Sequence, residues 1–334
     1  MHEQNEFRAL VVREEADGSF SKKFEMRDIS ELPRHEVLIK VTHAALNFKD
    51  ALSASGHKGI TKKYPHTPGV DAAGVVVEDA SGTFLSGAKV ICTSYDLGMN
   101  TSGAFAQYIR VPAEWVVPMP AQWTSYQAMV LGTAAYTVGL ALYKMERNGQ
   151  HPSMGEVVVT GASGGVGTLA IAILKKAGYT VIASTGKKEN ENFLLEIGAS
   201  RCISREEVAD VSPKPITAPK WAGGIDNVGG QTLAGLLKSC SKEGNIACVG
   251  LVGSPQLALT VYPFILNGVN LLGVDSAETP RHERLKIWSL LAEKWMPESW
   301  NLLGKEVGLD EIPAAMDAML KGQTLGRIVA NIGL

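Results

Sequence analysis

The chain has 334 residues, 45% of them hydrophobic and 20% charged, with a formal net charge of −2. That is enough apolar material for one large or two modest domains. The charge balance gives no general attraction to nucleic acid or to an anionic membrane, and neither is expected as a partner.

The opening run MHEQNEFRAL has no apolar core behind a basic region, and no uninterrupted apolar run reads as long enough to span a bilayer. A cytoplasmic protein is the expectation. The first portion then reads as short strands between turns: FRALVV, EVLIKVTHAAL, DAAGVVVED, AKVICTS and AFAQYIRV, rich in β-branched residues and punctuated by Gly, Pro, Asp and Ser. An irregular, mainly antiparallel β domain follows from that pattern. The breaker run PMPAQWTS, Pro118 to Ser125, leads into YQAMVLGTAAYTVGLALYKM, which suits a buried helix.

From Glu156 the texture changes. EVVVTGASGGVGTLAIAILKKAGYTVIAST reads as strand, glycine turn, helix and strand, the size of a βαβ unit. NENFLLEIGA, GGIDNVG, QTLAGLLKSC and GNIACVG continue the alternation, which implies a parallel, doubly wound sheet of the Rossmann type. The chain turns helical again near ERLKIWSLLAEKW and closes on the strand-like GRIVANI. Cys92, Cys202, Cys240 and Cys248 include no C-x-x-C pair, so they are expected to be reduced and mostly buried rather than metal-bound or bridged.

The glycine turn runs Ala162, Ser163, Gly164, Gly165, Val166, Gly167 between an apolar strand and an apolar helix. In that context Gly164 lets backbone approach a pyrophosphate and Gly167 lets helix and sheet pack closely, while the first amides of the helix point at the anion. An ordinary tight turn is the plainer alternative. The end of the second strand decides which dinucleotide is expected. NAD requires a carboxylate there for the ribose hydroxyls. The chain instead has Ser184, Thr185, Gly186, Lys187 and Lys188, with Arg201 a further cation from the next strand region. These favour the additional phosphate of NADPH over a merely solvated lysine pair.

The runs ALNFKDAL, YPHTPGVDAAG, LGTAAYTVGLAL, VVVTGASGGVG, IGASRCISREE, DNVGG, YPFILNGVNLLGVDS and GRIVANI span nearly the entire chain. By these the sequence resembles the medium-chain dehydrogenase/reductase superfamily, in its zinc-free quinone-oxidoreductase-like branch and its acrylyl-CoA reductase (NADPH) group. The resemblance implies an α/β fold in which a central Rossmann domain, residues 126–264, is flanked by a discontinuous GroES-like catalytic domain, residues 1–125 and 265–334, with the active site in the cleft between them. It also implies homodimers. Zinc-dependent relatives place Cys or His where this chain has Asn47–Asp50 and PGVDAAG, and His43, His57 and His66 lack partners at zinc spacing; no metal is expected.

The activity implied is reduction of an activated C=C by NADPH, acryloyl-CoA giving propanoyl-CoA. The family's usual NYKD is NFKD here, so Phe48 has no hydroxyl to donate. Asn47, Lys49 and Asp50 are the candidate polarising or protonating groups, against the alternative of a structural polar turn. Motif alignment gives Phe48, Thr133, Ser163, Gly164, Gly165, Val166, Thr185, Gly186, Lys187, Arg201, Leu251, Ile265 and Ser276 as cofactor contacts, with core packing the alternative for Leu251 and Ile265. Arg281, His282 and Arg284 are candidate landing residues for CoA phosphates. Reduction of a quinone or small enone, and NADPH binding without turnover, stay open beside the acyl-CoA reading.

Overall fold

The β-branched runs of the first third pair into a sheet because their alternate side chains share one apolar face. In the computed structural model, which describes residues 5–333, the chain forms two units: Met1–Thr133 with Ala277–Leu285 and Gly304–Leu334, and Ala134–Ser276 with Lys286–Leu303. Part of the opening run read for a leader, residues 1–4, lies outside the described residues.

In the first unit the strands run in the order Gly304–Gly308, Arg327–Asn331, Val37–Leu46, Asp71–Asp79, Lys89–Thr93 and Val116–Pro118, with Tyr108–Val111 also paired to Val37–Leu46. Only the first two of these neighbours are parallel. Shifts of register at Leu38/Ile39 and Val41/His43 make the sheet irregular. Val37, Ile39 and Val41 pack with Leu10, Val12, Phe105 and Ile109 in the core, each full burial of such a side chain contributing about 1.5–3 kcal/mol. A hairpin, Glu6–Glu14 with Phe20–Asp28, lies outside this sheet. Its second strand, FSKKFEMRD, has no fully buried residue and therefore no apolar alternation to announce it.

The second unit holds six parallel strands in the order Arg201–Ile203, Val181–Ser184, Val157–Val159, Trp221–Asp226, Cys240–Cys248, Asn270–Gly273. The order reverses between Val157–Val159 and Trp221–Asp226, and in such sheets ligands bind outside the carboxyl ends of the strands at that point. The Rossmann expectation is met. Cys92 and Cys240 are buried, Cys202 and Cys248 half-buried, and all four are free thiols.

The expected domain limits shift in three places. Ser125–Arg147 is a single helical run broken at Gly132 (φ 49°, ψ −157°), and the boundary falls at the break rather than at residue 126. Downstream, Asn270–Gly273 pairs with Cys240–Cys248 and so stays with the parallel sheet, beyond the expected limit at 264. Lys286–Leu303, read as part of the catalytic domain, also belongs to the second unit. One reading needs correction: Ser125–Arg147 is long and apolar enough to cross a membrane, but 83% of its apolar window is buried inside the protein. Length and composition alone do not separate a core helix from a membrane span.

Candidate cofactor site and active site

Strand Val157–Val159 is fully buried, and the chain leaves it through Gly161, held at φ +58°. Gly164 is the N-cap of helix Gly165–Lys176 and brings no side-chain cap, so the first amides of that helix lack an intrahelical partner. A Cβ on Gly167 would lie 2.3 Å from the carbonyl oxygen of Gly161; only glycine lets this helix sit so close to its own turn. Across the reversal of strand order, the Thr160 hydroxyl donates to Asp226 at 2.6 Å, and Asn227 donates through Nδ2 to the Thr160 carbonyl at 2.8 Å. Burial pushes the Asp226 carboxyl up, while the hydrogen bonds from Thr160, Gly229 and Val228 oppose the shift. These bonds fix the turns after the two strands against each other, and helix amides left without an intrahelical partner are groups of the kind that receive a pyrophosphate.

The carboxyl end of the next strand lacks an acidic side chain. Thr185 is buried and its hydroxyl accepts from the Lys187 amide at 3.1 Å, which shapes the turn around exposed Gly186. Ile203 is opposite Ser184 in the parallel ladder, so the register carries Arg205 to the level of Gly186. A Cβ on Gly186 would lie 2.7 Å from Nε of Arg205 and 2.8 Å from its Cζ. The guanidinium covers the glycine. Arg201 lies opposite Ile182, toward the amino end of the strand, about 13 Å from that level at the usual rise. It pairs there with Glu156 at 2.9 Å, a carboxylate that holds the guanidinium firmly protonated.

In the first unit, Asn47 precedes helix Phe48–Ala54. Asp50 is fully buried and accepts from the backbone amides of Asn47 at 2.8 Å and Val70 at 3.0 Å. Burial, with Asp71 adding repulsion, pushes its carboxyl up to about 7. The Asn47 amide is committed at both ends, Nδ2 donating to Asp71 at 2.9 Å and Oδ1 accepting from Arg327 at 3.0 Å. Asp71 and Arg327 form an ion pair at 3.3 Å with side chains 0% and 3% exposed; loss of either partner strands a charge, at about 3–5 kcal/mol. Asp71 also accepts from the amide and hydroxyl of Thr133, whose oxygen lies 2.8 Å from the Ser94 hydroxyl. Phe48 remains 42% exposed and Lys49 is exposed beside it.

The model of the alcohol dehydrogenase GroES-like domain matches residues 33–121, and that of the zinc-binding dehydrogenases matches residues 165–293. The acrylyl-CoA reductase AcuI of Ruegeria pomeroyi is 37% identical over 327 residues, covering 98% of this chain and 99% of the relative. The chain belongs to the quinone-oxidoreductase-like branch of the medium-chain dehydrogenase/reductase superfamily. Solved medium-chain relatives agree: Bacillus subtilis protein yhfP with NAD bound has a TM-score of 0.95 at 40% identity, covering 98% of this chain and 99% of that one. The yhdH oxidoreductase of Salmonella enterica in complex with NADP has a TM-score of 0.93 at 38% identity, covering 97% and 99%. The quinone oxidoreductase of Mus musculus is more distant, 25% identical over 296 residues and 86% of each chain.

Within this medium-chain dehydrogenase/reductase the expected residues fare unequally. Ser163 to Val166, Thr185, Gly186 and Lys187 lie at or beside the carboxyl ends of the strands as read. Arg201 does not; Arg205 stands in its expected place, and the ladder register, invisible in the sequence, is what separates them. Leu251 and Ile265 are 64% and 67% exposed, which removes core packing as their explanation. Ser276 accepts from the Thr137 hydroxyl at 2.8 Å. Asn47 and Asp50, read as candidate chemical groups with a structural polar turn as the alternative, have their polar atoms engaged by backbone, Asp71 and Arg327. Arg284 is corrected: it is fully buried and donates to Tyr95, Thr93 and Ala277, while Arg281 donates to the Val116 carbonyl at 3.2 Å. His282 is exposed.

The second matched family is named for zinc binding. Among the described residues, no three His, Cys, Asp or Glu side chains come together to hold a metal ion. His66 instead contacts the Gly98 carbonyl at 2.8 Å, and His43 contacts Glu306 at 3.4 Å.

Proposed function

We propose that this oxidoreductase uses NADPH to reduce a C=C bond conjugated to a carbonyl, with acryloyl-CoA as substrate and propanoyl-CoA as product. The observation that carries the cofactor choice is Arg205 lying over Gly186 at a strand end without a carboxylate. A 2′-phosphate needs a cation where a free ribose hydroxyl needs an acceptor. The solved relatives were captured with NAD in one case and NADP in another, so this chain's own residues must decide. The glycine turn cradles the pyrophosphate, Leu251, Ile265 and Ser276 line the cofactor, and Phe48 and Thr133 meet its nicotinamide end.

When bound, NADPH supplies a hydride to the β carbon. The substrate carbonyl takes the negative charge as an enolate, which hydrogen-bond donors stabilise without a Lewis acid. A proton then adds at the α carbon, so that NADPH, H⁺ and acryloyl-CoA give NADP⁺ and propanoyl-CoA. Phe48 cannot donate that proton, and Asn47 and Asp50 are already committed. Lys49 or solvent supplies it. The same reading includes a homodimer formed through the edge strand Asn270–Gly273.

Rates of NADPH oxidation with acryloyl-CoA and with 1,4-benzoquinone test the substrate assignment. A kcat/KM at least about a hundredfold higher for the thioester is expected, since uncharged quinones forgo the binding energy of the CoA moiety. The reverse ratio would replace it with quinone reduction, which the half-exposed phenyl ring of Phe48 and the likeness to a quinone oxidoreductase favour.

A further inference from the structure

The pair Asp71–Arg327 does more than neutralise itself. At the break in helix Ser125–Arg147, Arg327 Nε donates to the Val130 carbonyl at 3.2 Å and Asp71 accepts from the Thr133 amide at 2.9 Å. Backbone groups freed by a helix break need such partners. On its other side the guanidinium donates to the Leu46 carbonyl at 3.2 Å and to Asn47 Oδ1 at 3.0 Å, and Asp71 accepts from Asn47 Nδ2 at 2.9 Å. One buried pair thus grips the residues immediately before Phe48 and the residues on both sides of Gly132. Contact is close: a Cβ on Gly132 would lie 2.5 Å from Asp71 Oδ2 and 2.9 Å from Arg327 Nη2.

We infer that Asp71 and Arg327 are positioning residues for hydride transfer, fixing Phe48 and Thr133 in register with each other while touching neither cofactor nor substrate. This rests on the reading that those two residues meet the nicotinamide. The guanidinium fork is planar and rigid, so each of its donors sets a direction as well as a charge. A lysine restores the charge without the fork. Asparagine at position 71 keeps the shape but turns an acceptor into a donor facing donors. Small misplacements near reacting atoms carry large rate costs, about a hundredfold for 1 Å.

The test measures two quantities on each protein: the NADPH dissociation constant by fluorescence titration, and the single-turnover rate of NADPH oxidation by acryloyl-CoA and by methyl vinyl ketone. Asp71→Asn and Arg327→Lys are expected to slow the single turnover about ten- to a hundredfold while the dissociation constant stays within about twofold. Asn47→Ala, which leaves the ion pair intact and frees only the Phe48 side, is expected to slow it about tenfold; it decides the matter if the first two fail to fold. Lys238→Met is the control. It breaks the ion pair of Lys238 with Asp210, 2.8 Å apart in the other unit, and is expected to leave the turnover unchanged. Full activity in Arg327→Lys or Asn47→Ala, NADPH affinity falling in step with the rate, or an equal loss in Lys238→Met each overturns the positioning role. A wild-type protein that oxidises NADPH with neither acceptor overturns both this role and the activity it serves.

Discussion

Arg205 and Arg201 have opposite suitability as phosphate ligands although they lie close together in sequence. Arg201 already holds Glu156 at 2.9 Å, and turning to an anion would break that pair. Arg205 lies against Gly186, where the absence of a side chain leaves room for the guanidinium itself, beside the strand end at which a ribose phosphate is expected. A charge-assisted hydrogen bond contributes about 1.5–3 kcal/mol. Arg205→Ala should therefore weaken NADPH about ten- to a hundredfold and leave NADH nearly unchanged in a fluorescence titration. Arg201→Ala should alter neither. If Arg201→Ala alone removed the preference, the phosphate would belong at the other end of the strand.

At the scale of elements, what the sequence made legible followed from burial. VVV before the glycine turn and TLAIAIL after it are buried almost throughout, so their apolar character announced strand, turn and helix together. Phe20–Asp28 was illegible because none of its side chains is fully buried: Phe20 and Phe24 pack only partly against the core, and lysines and acids fill most of the other positions. The NFKD run was legible as polar and important, but its partners, Asp71 and Arg327, lie 24 and 280 residues from Asn47; no local pattern shows that both ends of the amide are taken. The short strand Asn270–Gly273 was also missed, and it has a consequence. It closes the parallel sheet, and among the described residues no strand pairs with its outer edge. Leu266 and Leu271 near it are 58% and 36% exposed, with Val261 and Tyr262 also open. An apolar sheet edge is a template for pairing, and a second copy offers the same edge in return. Sedimentation should show a dimer, and Leu266→Arg with Leu271→Lys should give folded monomers; a wild-type monomer, or a dimer undisturbed by both charges, would remove the edge from consideration.

For the whole molecule, the buried carboxyl of Asp50 couples folding to pH. Its folded value of about 7 lies above its ordinary 3.8, so between those limits the native chain holds a proton that the unfolded chain has released. Stability from this group is complete below the lower limit and declines as pH rises toward the upper one. Asp226, also pushed up by burial, acts in the same sense. His43 and His66 act in the opposite sense, because burial lowers them and the unfolded state binds the extra proton below their ordinary 6.5. Asp210, held at about 2 by its hydrogen bond to Lys238, contributes only in the acid limb. The total profile therefore mixes signs, and only a difference isolates Asp50. Urea unfolding of wild type and Asp50→Asn, at about pH 4.5 and about pH 7.5, provides it. The wild type's advantage over the variant should shrink as pH rises, by up to about 1.4 kcal/mol per pH unit. A difference that stays constant would mean that Arg327 keeps Asp50 ionised throughout, and that the buried cluster carries one more negative charge than its burial favours.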